Sequence, residues 1–102
     1  MVTVNLEKIF DPQSIAIIGA SDKEGSVGYA LMKNLTEGGY QGKVYPVNIH
    51  KTEILGFNAY QTVDQLPETV DLAVIATPAK TVPDMIEQCG KAGIVGVIII
   101  SA

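Results

Sequence analysis

The chain has 102 residues, 47% of them hydrophobic and 18% charged, with a formal net charge of −4. That length supports one domain with a modest core. All seven basic residues are lysines and they are scattered, so there is no basic stripe of the kind that a nucleic acid or an anionic membrane surface requires. The opening MVTVNLEKIF lacks the basic and apolar regions of a signal peptide, and the longest apolar runs are too short to span a bilayer. One cysteine, Cys89, can form neither an internal disulfide nor a cysteine metal cluster, which points to a reducing, cytoplasmic setting.

Residues 5–10 read as one helical turn, with Leu6, Ile9 and Phe10 as an apolar clamp on a sheet edge and Asp11-Pro12 as its stop. Residues 15–18 form a continuous apolar strand of the kind buried on both faces of a parallel sheet. A helix follows over about 26–37, with Ser26 at its N-cap, Val27, Ala30, Leu31 and Leu35 as its inner stripe, and Gly38-Gly39 as its end. Residues 43–47 are the second strand and 48–51 its exit loop. Residues 54–59 fit either a short extra strand or an irregular connection, and 62–66 a helical turn. The third strand covers 72–76. A second helix over about 81–92 turns Val82, Met85, Ile86 and Cys89 inward, tolerates Pro83 in its first turn and ends at Gly93. A fourth strand covers 97–100. Strands alternating with helices predict an α/β, Rossmann-like, doubly wound parallel sheet over residues 1–102. Stopping just after a central strand, the chain reads as the first domain of a longer protein, with a compact mini-domain as the alternative.

Three loops carry the chemistry. The first is Gly19-Ala20-Ser21 through Gly25-Ser26-Val27-Gly28. It is neither G-x-G-x-x-G nor a P-loop, since Gly19 and Gly25 stand six apart and no G-K-[ST] follows. It does join a buried strand to a helix start, where unpaired N–H groups and the helix dipole favour phosphate. A plain chain-reversing turn is the competing reading. A larger side chain at Gly28 is expected to disturb the ligand and leave most of the fold. The second loop follows strand two. A dinucleotide site usually has an acid there for the ribose hydroxyl; here Asn48 offers an amide and Lys51 a positive charge, which suits a ribose phosphate such as that of coenzyme A or NADP. The third, Thr77-Pro78-Ala79, is a small proline-fixed turn after strand three, on the ligand edge of this fold. His50 has no metal or nucleophile partner in the pattern, and Cys89 reads as a buried hydrophobe. No catalytic residue and no metal ligand set is expected.

Taken in order, SIAIIGASDKEGSVG, KVYPVN and DLAVIATPA resemble the N-terminal CoA-binding domain of NDP-forming acyl-CoA synthetases, a family including ADP-forming acetyl-CoA synthetases and relatives of the succinyl-CoA synthetase α subunit. The same domain begins a class of acyltransferases in which it is fused to an acetyl-transfer domain. The resemblance implies CoA phosphates held by Gly19, Ala20, Ser21, Ser26, Val27 and Gly28, with contributions from Lys51 and from Thr77, Pro78 and Ala79. Ile49 stands where the family often has the second proline of P-V-N-P. The resemblance also implies an acid–thiol ligase that works through an acyl phosphate and a phosphohistidine. That histidine and the ATP-grasp module lie in later domains, so this stretch would only hold CoA, with further domains or subunits as partners. Two other classes compete: an NADP-binding module of an oxidoreductase, and a stand-alone CoA sensor.

Overall fold

The computed structural model describes residues 10–100. The turn expected over 5–10 lies, apart from Phe10, outside the described residues. Phe10 is 80% exposed and does not clamp the sheet. The elements run β1 (Ser14–Ile18), α1 (Val27–Glu37), β2 (Lys43–Val47), β3 (Glu53–Ile54), β4 (Phe57–Asn58), a 3-10 turn at Val63–Gln65, β5 (Leu72–Ile75), a second 3-10 turn at Ala79–Thr81, α2 (Val82–Lys91) and β6 (Gly96–Ile99).

Four strands form a parallel sheet in the order β2-β1-β5-β6. β1 and β5 are central and buried along their whole length, as their unbroken apolar runs require. Alternate residues feed opposite faces. Ile15, Ile17, Leu72 and Val74 pack with Met32, Leu31 and Leu35 of α1. Ala16, Ile18, Ala73 and Ile75 pack with Cys89, Val82 and Met85 of α2. The sheet is therefore covered on both sides, one helix to each, and is doubly wound. Ile17, Met32 and Ile75 are fully buried, and each such side chain contributes about 1.5–3 kcal/mol. The exposed ion pairs Lys33–Glu37 and Lys91–Glu87 lie in water and add little. Burial, not surface charge, holds the fold.

The inner line of α1 is shifted from the expected stripe, and in α2 the expected stripe holds except at Ile86. In α1 the buried residues are Gly28 and Met32, while Ala30 is exposed. In α2 Ile86 is 43% exposed and the inner line is Val82, Met85 and Cys89. Residues 54–59 resolve into a hairpin: β3 and β4 pair antiparallel around Leu55-Gly56, both with positive φ (51° and 86°). That is the signature of a two-residue I′ turn, in which asparagine or glycine would be expected where Leu55 stands. Pro46 lies in β2, an edge strand, where its missing N–H is tolerated. Among the described residues no helix is long and apolar enough to cross a membrane.

The chain passes from β1 to β2 on one side and from β5 to β6 on the other. The strand order thus reverses between β1 and β5, the switch point at which open α/β sheets place a ligand crevice, at the carboxyl ends of the strands. All three chemistry-bearing loops leave the sheet along that edge.

Candidate functional site

The site is built outward from the end of β1. Gly19 has φ of +95° and donates its N–H to the Val47 carbonyl at 3.0 Å. On the other side, the Ala76 N–H donates to the Ile18 carbonyl at 2.8 Å. The turn is therefore wedged between the ends of β2 and β5. A Cβ on Gly19 would lie 2.9 Å from the Ala76 carbonyl oxygen and 3.1 Å from Thr77 Cγ2. Only glycine supplies both that conformation and that clearance. Gly25 also has positive φ (+88°), but a Cβ there would meet nothing within 4 Å, so conformation alone calls for glycine.

Ser26 caps α1. Its Oγ accepts from the Tyr29 N–H at 3.1 Å and donates to the Lys23 carbonyl at 2.7 Å. With its proton already committed, this hydroxyl fixes the helix start and is not a free donor. The Val27 and Gly28 N–H groups precede the first intrahelical bond, from Ala30 N–H to the Ser26 carbonyl at 3.1 Å. No acidic side chain lies in this first turn. The positive end of the helix dipole is thus left uncompensated at the crevice.

Gly28 has a packing role beside the one expected. It is buried, and a Cβ on it would stand 2.0 Å from the Gly19 carbonyl oxygen and 3.1 Å from Ala20 Cα. Gly28 is where the helix packs onto the turn after β1, so a larger side chain there is expected to disturb the fold itself.

Asn48 ties two loops together. Its Nδ2 donates to the Ala20 carbonyl at 2.9 Å, while its Oδ1 accepts from the N–H groups of His50 (2.8 Å) and Lys51 (3.0 Å). Its acceptor is filled from within, leaving one amide hydrogen for a ligand. This side-chain turn also accounts for Ile49: the amide of Asn48 shapes the loop that a second proline would otherwise stiffen, and Ile49 is 69% exposed. The Lys51 ammonium sits 3.4 Å from the Asp22 carboxylate, so the β2 exit loop faces the β1–α1 loop. Asp22 is the site residue that sequence reasoning passed over. Its one signal was its place in the long S-D-K-E insert between Gly19 and Gly25.

The third loop is fastened by hydroxyls. Thr81 Oγ1 lies 2.7 Å from Thr77 Oγ1 and 2.6 Å from the Pro78 carbonyl. Pro78 and Ala79 are exposed at the sheet edge, and Ala79 opens the 3-10 turn that leads into α2. The structure thus brings Gly19, Ser21, Ser26 and Val27 together with Asn48 and Lys51 and with Thr77-Pro78-Ala79 along one edge. Ala20 and Gly28 lie beneath it, buried. His50 is exposed. Cys89 is fully buried, and burial pushes its thiol pKa up, which keeps it protonated and unreactive. A cavity of about 530 Å³ opens elsewhere, between the first 3-10 turn and the end of α2, lined by Val63, Leu66, Glu68, Gln88, Ala92 and Ile94. It belongs to the amino-terminal edge of the sheet and holds none of the three loops.

A doubly wound parallel sheet with a glycine turn at its switch point and a lysine beyond the second strand defines a Rossmann-like nucleotide-binding class. Residues 13–102 match the CoA binding domain family, and the chain belongs to it. It is 52% identical to the acetate–CoA ligase (ADP-forming) I subunit alpha of Pyrococcus furiosus, over 97% of this chain and 22% of that protein. It is 48% identical to the acetate–CoA ligase (ADP-forming) I of Archaeoglobus fulgidus, over 95% of this chain and 14% of the relative. A solved structure of the dinucleotide-forming acetyl-coenzyme A synthetase 1 of Ca. Korarchaeum cryptofilum, in complex with phosphate and ADP, superposes with a TM-score of 0.91 at 39% identity, covering 96% of this chain and 21% of that one. The chain therefore spans about a fifth or less of the length of these relatives.

Proposed function

We propose that residues 1–102 form the coenzyme A-binding domain of an ADP-forming acyl-CoA synthetase. The observation that carries this reading is the α1 start: the Val27 and Gly28 N–H groups, with no acidic side chain in the first helical turn, on the same sheet edge as Lys51 and its partner Asp22. Backbone donors and a helix dipole there suit a pyrophosphate. Lys51 suits the ribose phosphate that distinguishes CoA from phosphate-poor nucleotides, and the exposed Pro78-Ala79 turn leaves room for a flat or extended ligand. The residues fit the ligand, and their task is to bind and orient it. The acid–thiol ligation would be carried out by further domains or subunits, as the names of the longer relatives suggest. The lone Cys89 fits a reducing compartment, and we assign the chain to the cytoplasm.

Calorimetric titration with CoA, dephospho-CoA, NADP and NAD tests this. CoA is expected to bind most tightly, with dephospho-CoA weaker and NAD weakest. Lys51→Ala should weaken CoA about fivefold and dephospho-CoA hardly at all, a small effect because the lysine is half exposed. CoA binding no tighter than adenine would overturn the reading. NADP binding more tightly than CoA would favour the oxidoreductase module.

A further inference from the structure

The Lys51–Asp22 pair joins two loops whose backbones are each fastened from within. On one side, Ser21 Oγ accepts from the Lys23 N–H at 2.9 Å and Ser26 Oγ donates to the Lys23 carbonyl, so the segment carrying Asp22 is held at both ends. On the other, Asn48 Oδ1 holds the Lys51 N–H. Between them the ammonium and carboxylate stand 3.4 Å apart, with side-chain exposures of 53% and 43%. The cation best placed to receive a ligand phosphate thus already has an anionic partner, on a loop with its own internal hydrogen bonds.

We propose that Asp22 is a built-in competitor for the ligand phosphate at Lys51, and that it sets how strongly the site favours a phosphorylated ribose over an unphosphorylated one. This rests on the reading of Lys51 as a phosphate contact. A phosphate carries more charge and more acceptor oxygens than a carboxylate, so it takes the ammonium from Asp22. Breaking the Lys51–Asp22 attraction is a cost that the phosphate must meet, and that cost weakens its net hold. A ligand without that phosphate leaves the pair intact and feels no such penalty. Asp22 therefore acts against CoA and spares dephospho-CoA, holding the affinity for CoA below what the crevice could reach and easing its release.

The test is the ratio of dissociation constants, dephospho-CoA over CoA, at one ionic strength. It is measured for the wild type, Asp22→Asn, Glu24→Gln, Lys51→Ala and the Asp22→Asn/Lys51→Ala double variant. Glu24 lies two residues along the same loop and gives the same change in net charge, so it reports the general electrostatic effect. Asp22→Asn should raise the ratio about two- to fivefold, Glu24→Gln by less than about 1.5-fold, and Asp22→Asn should add nothing once Lys51 is gone. Three results would overturn the inference while leaving the CoA reading intact: Asp22→Asn no different from Glu24→Gln, a lowered ratio that would make Asp22 a support for Lys51, or an equal effect in the Lys51→Ala background. A wild type that binds neither ligand would instead overturn the CoA reading, and this inference with it.

Discussion

The two helices begin at the same edge of the sheet, and their first turns are built in opposite ways. α1 starts with a serine cap, no acidic residue and a glycine, Gly28, pressed onto the turn after β1. α2 starts from a 3-10 turn, with Pro83 in its first turn, Asp84 beside it and no side-chain cap hydrogen bond. Asp84 answers the α2 dipole from within, and the proline removes one of the donors that a ligand could use. α1 leaves both its dipole and its first donors to the crevice. One end is finished with a proline and an acid, and the other with a serine cap and no acid in its first turn.

The largest expected effect comes from the glycines of the two helices. Gly28→Val should cost more than about 3 kcal/mol, because its Cβ would meet the Gly19 carbonyl oxygen at 2.0 Å and backbone cannot yield cheaply. Gly90 of α2 has nothing within 4 Å of its missing Cβ, so Gly90→Ala should stabilise by about 0.5–1 kcal/mol. Thermal and urea melts of the two variants decide this. A folded, unshifted Gly28→Val would break the comparison.

Next comes the cap. Ser26→Ala should lower stability by about 1 kcal/mol and weaken CoA as well, since the first turn of α1 would fray where the phosphate is expected. Parallel melts and titrations check it, and a loss of stability without a loss of affinity would remove Ser26 from the site.

The amino-terminal edge supplies a contrast in pH. Tyr45 donates a short hydrogen bond to Glu68, which also lies 3.5 Å from the Lys43 ammonium. The bond to Glu68, then burial and the Glu68 charge, push the phenol from its ordinary 10.0 up to about 12. A raised folded value means that this stability is fully present below pH 10 and is lost as pH rises through about 12. Tyr45→Phe should therefore melt earlier than wild type by about 1 kcal/mol at neutral pH, an advantage that shrinks between pH 10 and 12. CoA affinity should be unchanged. A shift in affinity would mean that the two edges are coupled.

Asp84→Asn should give the smallest effect, a loss of about 0.5 kcal/mol in melting with no change in CoA binding. Tighter binding of CoA in this variant would show that the α2 start also faces the ligand.

Much of this was legible in the residues. Runs such as IAII and LAVI are too apolar to lie anywhere but in buried parallel strands, so the four-stranded sheet and its crossovers followed from pattern. The three loops could be placed on one edge because loops that follow parallel strands all leave at their carboxyl ends. The rotation of α1 was not legible. Helical spacing in α1 allows either Ala30 or Met32 to face the sheet, and the choice is made by the contact of Gly28 with the Gly19 turn, which puts Met32 one turn further along the buried line. The I′ turn escaped because Leu55 lacks the usual sequence signal for a positive φ.

At the site, the sequence by itself determined which residue types reach the edge: glycines that permit close backbone approach, an amide and a lysine after the second strand, and a proline turn after the third. These follow from local rules, since backbone conformation and chain direction act over a few residues. Only the tertiary structure decided what each group is free to do. It bound Asn48 to Ala20 across 28 residues, set Asp22 against Lys51 and pressed Gly28 onto Gly19. Hydrogen-bond partners and charges act through space, and packing alone determines which distant residues become neighbours.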